Sequence, residues 1–212
     1  PTAEGRFTDH PGLPVTGGAF PRPPEAPFPL STNYEETMLL KDKKCLIFGV
    51  ANNRSIAYGI ASCFKEQGAR LAFSYAGEAI HKRVEPISEE LGGEFIFPCD
   101  VTSDEDIAAA AALVKEKWGS VDVLVHSVAF ANREDLTKRF IETSRDGFAT
   151  ALNVSAYSLT ALCHAFEPML NPGASVLTMT YYGAQKIITN YNVMGVAKAA
   201  LEASVRYLSV DL

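Results

Sequence analysis

Cysteine is scarce in this chain, with four among 212 residues, and Cys45, Cys63, Cys99 and Cys163 are scattered without a close-spaced pair. That spacing argues against a disulfide framework or a metal site and predicts reduced, buried thiols in a cytoplasmic protein. Positive charge is also in short supply: 19 Lys and Arg against 25 Asp and Glu leave a net charge of −6. Neither nucleic acid nor an anionic membrane is expected as a partner, since both need a basic surface. No apolar run is long enough to span a bilayer, and no signal-peptide core stands at the N-terminus. Proline is rare beyond residue 37, because eight of the twelve lie before it in strings such as FPRPPEAPFPL. With no apolar period to offset its ordering entropy, segment 1–37 reads as a disordered extension, ahead of a folded domain over 38–212.

What is abundant is apolar material, 47% of the chain, enough for one sizeable core. From Lys44 onward, short apolar runs alternate with helical patterns. Strands are expected at 44–50, 70–75, 94–101, 121–129 and 174–180. The helices between them begin at Ser55, cover 78–91 up to Gly92-Gly93, follow a Ser103 cap, cover 145–170, and run from about 190 to the chain end. In the first helix Ile56, Ile60 and Phe64 are expected on one face. Continuously apolar strands separated by helices imply a parallel sheet covered on both faces. Right-handed crossovers make this an α/β, doubly wound, Rossmann-like fold with strand order 3-2-1-4-5.

Chemistry enters through Tyr191 and Lys198, seven residues apart in NYNVMGVAKAALEA. Two helical turns place phenol and ammonium on one face, and a nearby ammonium favours the phenolate and eases proton transfer. Tyr182 and Lys186 have the Tyr-x3-Lys spacing of most short-chain dehydrogenases and would suit a general alcohol or 3-oxoacyl dehydrogenase. Their surroundings, GAQKIIT, suit a loop better than a helix.

After the first strand, GVANNRSIA lacks the usual glycine spacing of a dinucleotide fingerprint. Small residues at Gly49, Ala51 and Ala57, with Ser55 and a helix N-terminus, could still meet a pyrophosphate; equally, they could serve only packing. Strand two ends at Ser74-Tyr75-Ala76, with Glu78 the nearest acid, so NAD against NADP stays open on this chemistry. Asp100 stands at the sheet's carboxyl edge, either near an adenine or as a cap for the next turn. Ser127-Val128-Ala129 ends strand four on the same edge.

The blocks GVANNRSIAYGIA, CDVTSD, VHSVAFA and NYNVMGVAKAALEASVRYLSVDL resemble bacterial enoyl-acyl-carrier-protein reductase, a short-chain dehydrogenase relative, over about 38–212. The resemblance implies NADH-dependent reduction of a trans-2-enoyl thioester in fatty-acid elongation, NADPH not being excluded, on an acyl carrier protein and in a cytoplasmic homotetramer. It implies that Tyr191 hydrogen-bonds the thioester carbonyl, that Lys198 binds the nicotinamide ribose, and that Tyr181 is the family's second active-site tyrosine. Gly49, Ser55, Ile56, Ala76, Asp100, Val101 and Val128 match cofactor-contact positions, and Ala131 a substrate-side position. Ala76 stands where the best-known members carry glutamine. No metal is implied. Against the family pattern, the chain reads as stopping before a sixth strand, a covering loop and a seventh strand. The remaining alternative is an inactive nucleotide-binding fragment.

Overall fold

Five parallel strands in the order β3-β2-β1-β4-β5 form the sheet, as the sequence implied. They are β1 (Lys44–Phe48), β2 (Arg70–Tyr75), β3 (Phe95–Pro98), β4 (Val121–His126) and β5 (Leu170–Thr178). The computed structural model describes residues 38–212, so the expectation for 1–37 lies outside the described residues. Helices α1 (Ile56–Glu66), α2 (Glu78–Leu91) and α3 (Asp104–Trp118) connect the first four strands. After β4 come α4 (Arg133–Thr137), α5 (Arg145–Leu152), α6 (Ser158–Phe166) and, following β5, α7 (Asn192–Asp211).

Alternation along the strands divides the core. Cys45, Ile47, Val123 and Val125 pack with Ala57 and Ala61 of α1 and with Val84, Ile87 and Leu91 of α2. Leu46, Phe48 and Leu124 point the other way, to Ile107, Ala111 and Val114 of α3 and to Leu162 and Phe166 of α6. A period of two in a strand makes both faces apolar when helices cover both. Ser103 caps α3 as expected, its side chain accepting from the Asp106 amide, and Gly92 closes α2 in the left-handed conformation.

Several boundaries differ from the sequence reading. The strands are shorter at their carboxyl ends than their apolar runs, because Gly49-Val50 and Ser127-Val128 turn out of the ladder into the loops that make the site. The buried face of α1 is Ala57 and Ala61, and Ile56 is exposed. Small residues let this helix lie close to the sheet, and the larger side chains sit at its flanks. Between β4 and α5, residues 130–143 contain α4 and a 3-10 turn, Phe140–Glu142. The helix expected over 145–170 is interrupted by a π-turn at Asn153–Tyr157, and Leu170 already belongs to β5. Cys63 is exposed, unlike the other three thiols, because it lies on the outward face of α1.

Candidate active site

The chain reverses direction across the sheet between β1 and β4, and ligands of open α/β sheets bind outside the carboxyl ends at that point. Here the register pairs Phe48 with His126 and His126 with Thr178, so three strands end side by side. Gly49 follows β1 at φ +99°, and a Cβ there would stand 2.1 Å from the Ser127 carbonyl oxygen. Only glycine allows this approach, which leaves an open cleft of about 470 Å³ above the strand ends.

Gly49, Ala76, Asp100, Val101 and Val128 all line this cleft, so five of the seven cofactor positions taken from the sequence converge. Ser55 and Ile56 lie beyond its lining, at the start of α1, with Ser55 as N-cap. The Ser55 hydroxyl donates to the Asn52 carbonyl at 2.6 Å. Asp100 accepts from the Thr102 amide and hydroxyl at 2.9 and 2.8 Å, thereby bracing the turn after β3. Ala131 borders a separate cavity with Asn132, Asp135 and Lys138. Tyr75 and Ile80 were not foreseen as lining residues; they reach the cleft because the second strand's last side chain and the first turn of α2 fold over it.

Tyr191 is the N-cap residue of α7, and Lys198 lies within the helix. The ring of Tyr181 meets that of Tyr191 edge-on, centroids 4.8 Å apart. Burial first and Tyr181 second push the Tyr191 phenol above its ordinary value. This is opposite to the direction expected from a nearby ammonium, and it leaves the phenol protonated at neutral pH. Lys198 is buried, and desolvation pulls it below the usual lysine range. Its Nζ donates to the Met179 carbonyl at 2.6 Å, its one hydrogen bond among the described residues. An ammonium has three protons, so two remain to meet the hydroxyls of a ribose diol. Tyr182, by contrast, opens a single 3-10 turn and is 57% exposed.

Sequence reasoning missed His126, the one strongly polar side chain pointing into the core from β4. Its Nε2 lies 2.7 Å from Ser158 Oγ and its Nδ1 2.8 Å from Thr178 Oγ1. The Ser158 hydroxyl donates to the Val154 carbonyl, so its oxygen takes the Nε2 proton, and Nδ1 accepts from Thr178. His126 thereby ties α6 to the end of β5, one residue before the carbonyl that holds Lys198. Its isolation in VDVLVHSVA was the available signal. Ser155 was also missed: it bonds both backbone groups of Phe130, steadying the loop after β4. A π-turn has no sequence signature that could have shown it.

A family model described as Enoyl-(Acyl carrier protein) reductase matches residues 49–212. The chain is 52% identical over 174 residues to enoyl-[acyl-carrier-protein] reductase [NADH] 1 of Rhizobium meliloti (strain 1021), covering 82% of this chain and 64% of that protein. Among solved structures, the reductase of Anaplasma phagocytophilum in complex with NAD superposes with a TM-score of 0.79 at 46% identity, covering 81% of this chain and 66% of that one. The Bacillus cereus reductase with NADP+ and an indole naphthyridinone gives 0.80 at 47% identity, covering 82% and 68%. The chain thus spans about two-thirds of the length of the relatives it matches.

Proposed function

The chain belongs to the enoyl-(acyl carrier protein) reductase family, and from that premise we propose that it reduces trans-2-enoyl thioesters carried on acyl carrier protein, with NADH as donor. The observation that carries this reading is the arrangement on α7. A half-buried, protonated Tyr191 stands at the helix start, and a buried Lys198 follows two turns later, held by one carbonyl with two protons to spare.

The residues present suit a dinucleotide. Gly49 lets the backbone approach closely, Val101 and Val128 give the cleft apolar walls, and Lys198 offers two donors to a ribose. NADH, when bound, would supply a hydride to the β-carbon of the conjugated thioester, and a solvent proton at the α-carbon would complete the reduction. The electron pair of the double bond then moves toward the carbonyl oxygen, where negative charge develops. The Tyr191 hydroxyl donates a hydrogen bond to that oxygen and stabilises the charge. Burial serves this role, because a raised phenol keeps its proton until the oxyanion forms. Lys198 positions the nicotinamide ribose and adds positive potential, and Tyr181 limits where the Tyr191 ring can lie. The absence of an acid among the Tyr75 and Ala76 lining positions leaves room for a 2′-phosphate, so NADPH is the secondary donor.

In this reading the protein works in the cytoplasm as a homotetramer. No helix among the described residues is long and apolar enough to cross a membrane. Tyr157, Val205 and Val210 on the long helices are exposed apolar groups that suit subunit contacts.

Replacing Tyr191 with Phe is expected to lower kcat for an enoyl thioester by about 10²- to 10³-fold, the usual cost of one oxyanion donor. Binding of NADH, followed by its fluorescence, should be retained. Unchanged turnover in Tyr191→Phe, or oxidation of secondary alcohols without enoyl reduction, would reject the assignment.

A further inference from the structure

Tyr191 is flanked by two residues in the left-handed region, Asn190 at φ +60° and Asn192 at φ +34°. Such backbone is costly for any residue but glycine, and asparagine tolerates it best among the others. Strain of this kind persists only where surrounding contacts over-determine it. Asn192 supplies those contacts. Its side-chain amide donates to the Lys138 carbonyl at 2.6 Å and the Leu136 carbonyl at 3.1 Å, with the Asp135 carbonyl at 3.4 Å. These carbonyls belong to the last turn of α4 and to its C-cap residue Lys138, where a helix leaves acceptors without intrahelical partners.

We propose that Asn192 is a positioning residue. Its amide clamps the carboxyl end of α4 to the first turn of α7 and so fixes the Tyr191 hydroxyl relative to the substrate-side segment 130–143. The proposal rests on the reading of Tyr191 given above. Each end of the clamp is itself secured. The Tyr191 ring packs against Gly183, where a Cβ would fall 2.4 Å from it, and a Cβ at Gly195 would stand 2.7 Å from the Gly183 carbonyl oxygen. Asp135 of α4 is buried, accepts from the Ser144 amide and from Asn132 Nδ2, and packs on Gly147 at the start of α5. With both ends held, the twist at Asn192 sets the direction in which the phenol leaves the helix. A displacement near 1 Å at such a group costs on the order of a hundredfold in rate.

The test uses three variants of the full chain. Asn192→Gly keeps the backbone conformation and removes the amide, and Asn192→Asp puts a carboxylate against the carbonyls. Asn190→Gly keeps the backbone where no side-chain hydrogen bond is made among the described residues. Asn192→Gly and Asn192→Asp are expected to lose about 10- to 100-fold in kcat, with the NADH dissociation constant within about twofold of the parent. Amide hydrogen exchange should accelerate about tenfold or more in 133–138 and 191–195 together, with β1 and β4 unchanged, as a released local unit would behave. Asn190→Gly should change neither. Exchange that rises only in α7, or that rises equally in Asn190→Gly, overturns the clamp. So does an unchanged kcat in the Asn192 variants of a protein that reduces enoyl thioesters. A parent protein without that activity would defeat the catalytic reading alone, and the exchange data would still judge the clamp.

Discussion

His126 shows how one side chain can set the chemistry around it. Burial pulls its pKa from 6.5 to about 4, with the Lys198 charge acting in the same direction. The folded protein therefore keeps His126 neutral, whereas the unfolded chain takes up a proton below about pH 6.5. Between those values the unfolded state binds more protons, so stability falls as pH drops toward 4. The contribution of this one group is on the order of 3 kcal/mol. Urea unfolding at pH 7 and pH 4.5 checks it. The parent should lose more stability over that interval than His126→Gln, and equal losses would show that His126 does not titrate as argued. Burial likewise favours the neutral forms of Tyr191 and Lys198.

At the scale of elements, the active region depends on the close approach of β1 and β4. The Gly49 backbone touches the Ser127 carbonyl so tightly that even a methyl group cannot enter. The Gly49→Ala variant therefore combines a left-handed alanine with a backbone clash and should destabilise the fold by on the order of 2–4 kcal/mol. Thermal unfolding would measure this directly. A variant that unfolds like the parent would mean that β4 shifts cheaply, against the packing of Leu46, Phe48 and Leu124 on α3 and α6. The interrupted α5–α6 helix has a comparable role. Its π-turn brings Ser155 to Phe130 and Ser158 to His126, so a local irregularity positions both the loop and the strand end.

For the whole molecule, burial sorts the thiols. Cys45 and Cys99 are pushed up to about 12 and Cys163 to about 11 by burial, and all three are inaccessible. Cys63 is exposed. An aromatic disulfide reagent at pH 8 should modify one thiol quickly in the native protein and the other three only with denaturant, since reaction needs an accessible thiolate. Fast modification of two or more thiols would mean that the core opens more readily than its packing implies.

Much of this protein was legible in its residue pattern alone. Period-two and period-3.6 hydrophobicity, with Ser103 and Gly92 as helix signals, determined the alternation of strands and helices and thereby the strand order. Local identity also singled out Tyr191, Lys198 and the small residues of the cleft. Other features depended on contacts between distant segments. The direction of the Tyr191 shift came from burial beside Tyr181, the exposure of Ile56 and Cys63 from how α1 lies on the sheet, and the role of His126 from strand register. The amide of Asn192 acquired a purpose only when α4 folded against α7. Periodicity reports which face of an element is apolar, but which groups meet across elements is decided by tertiary packing.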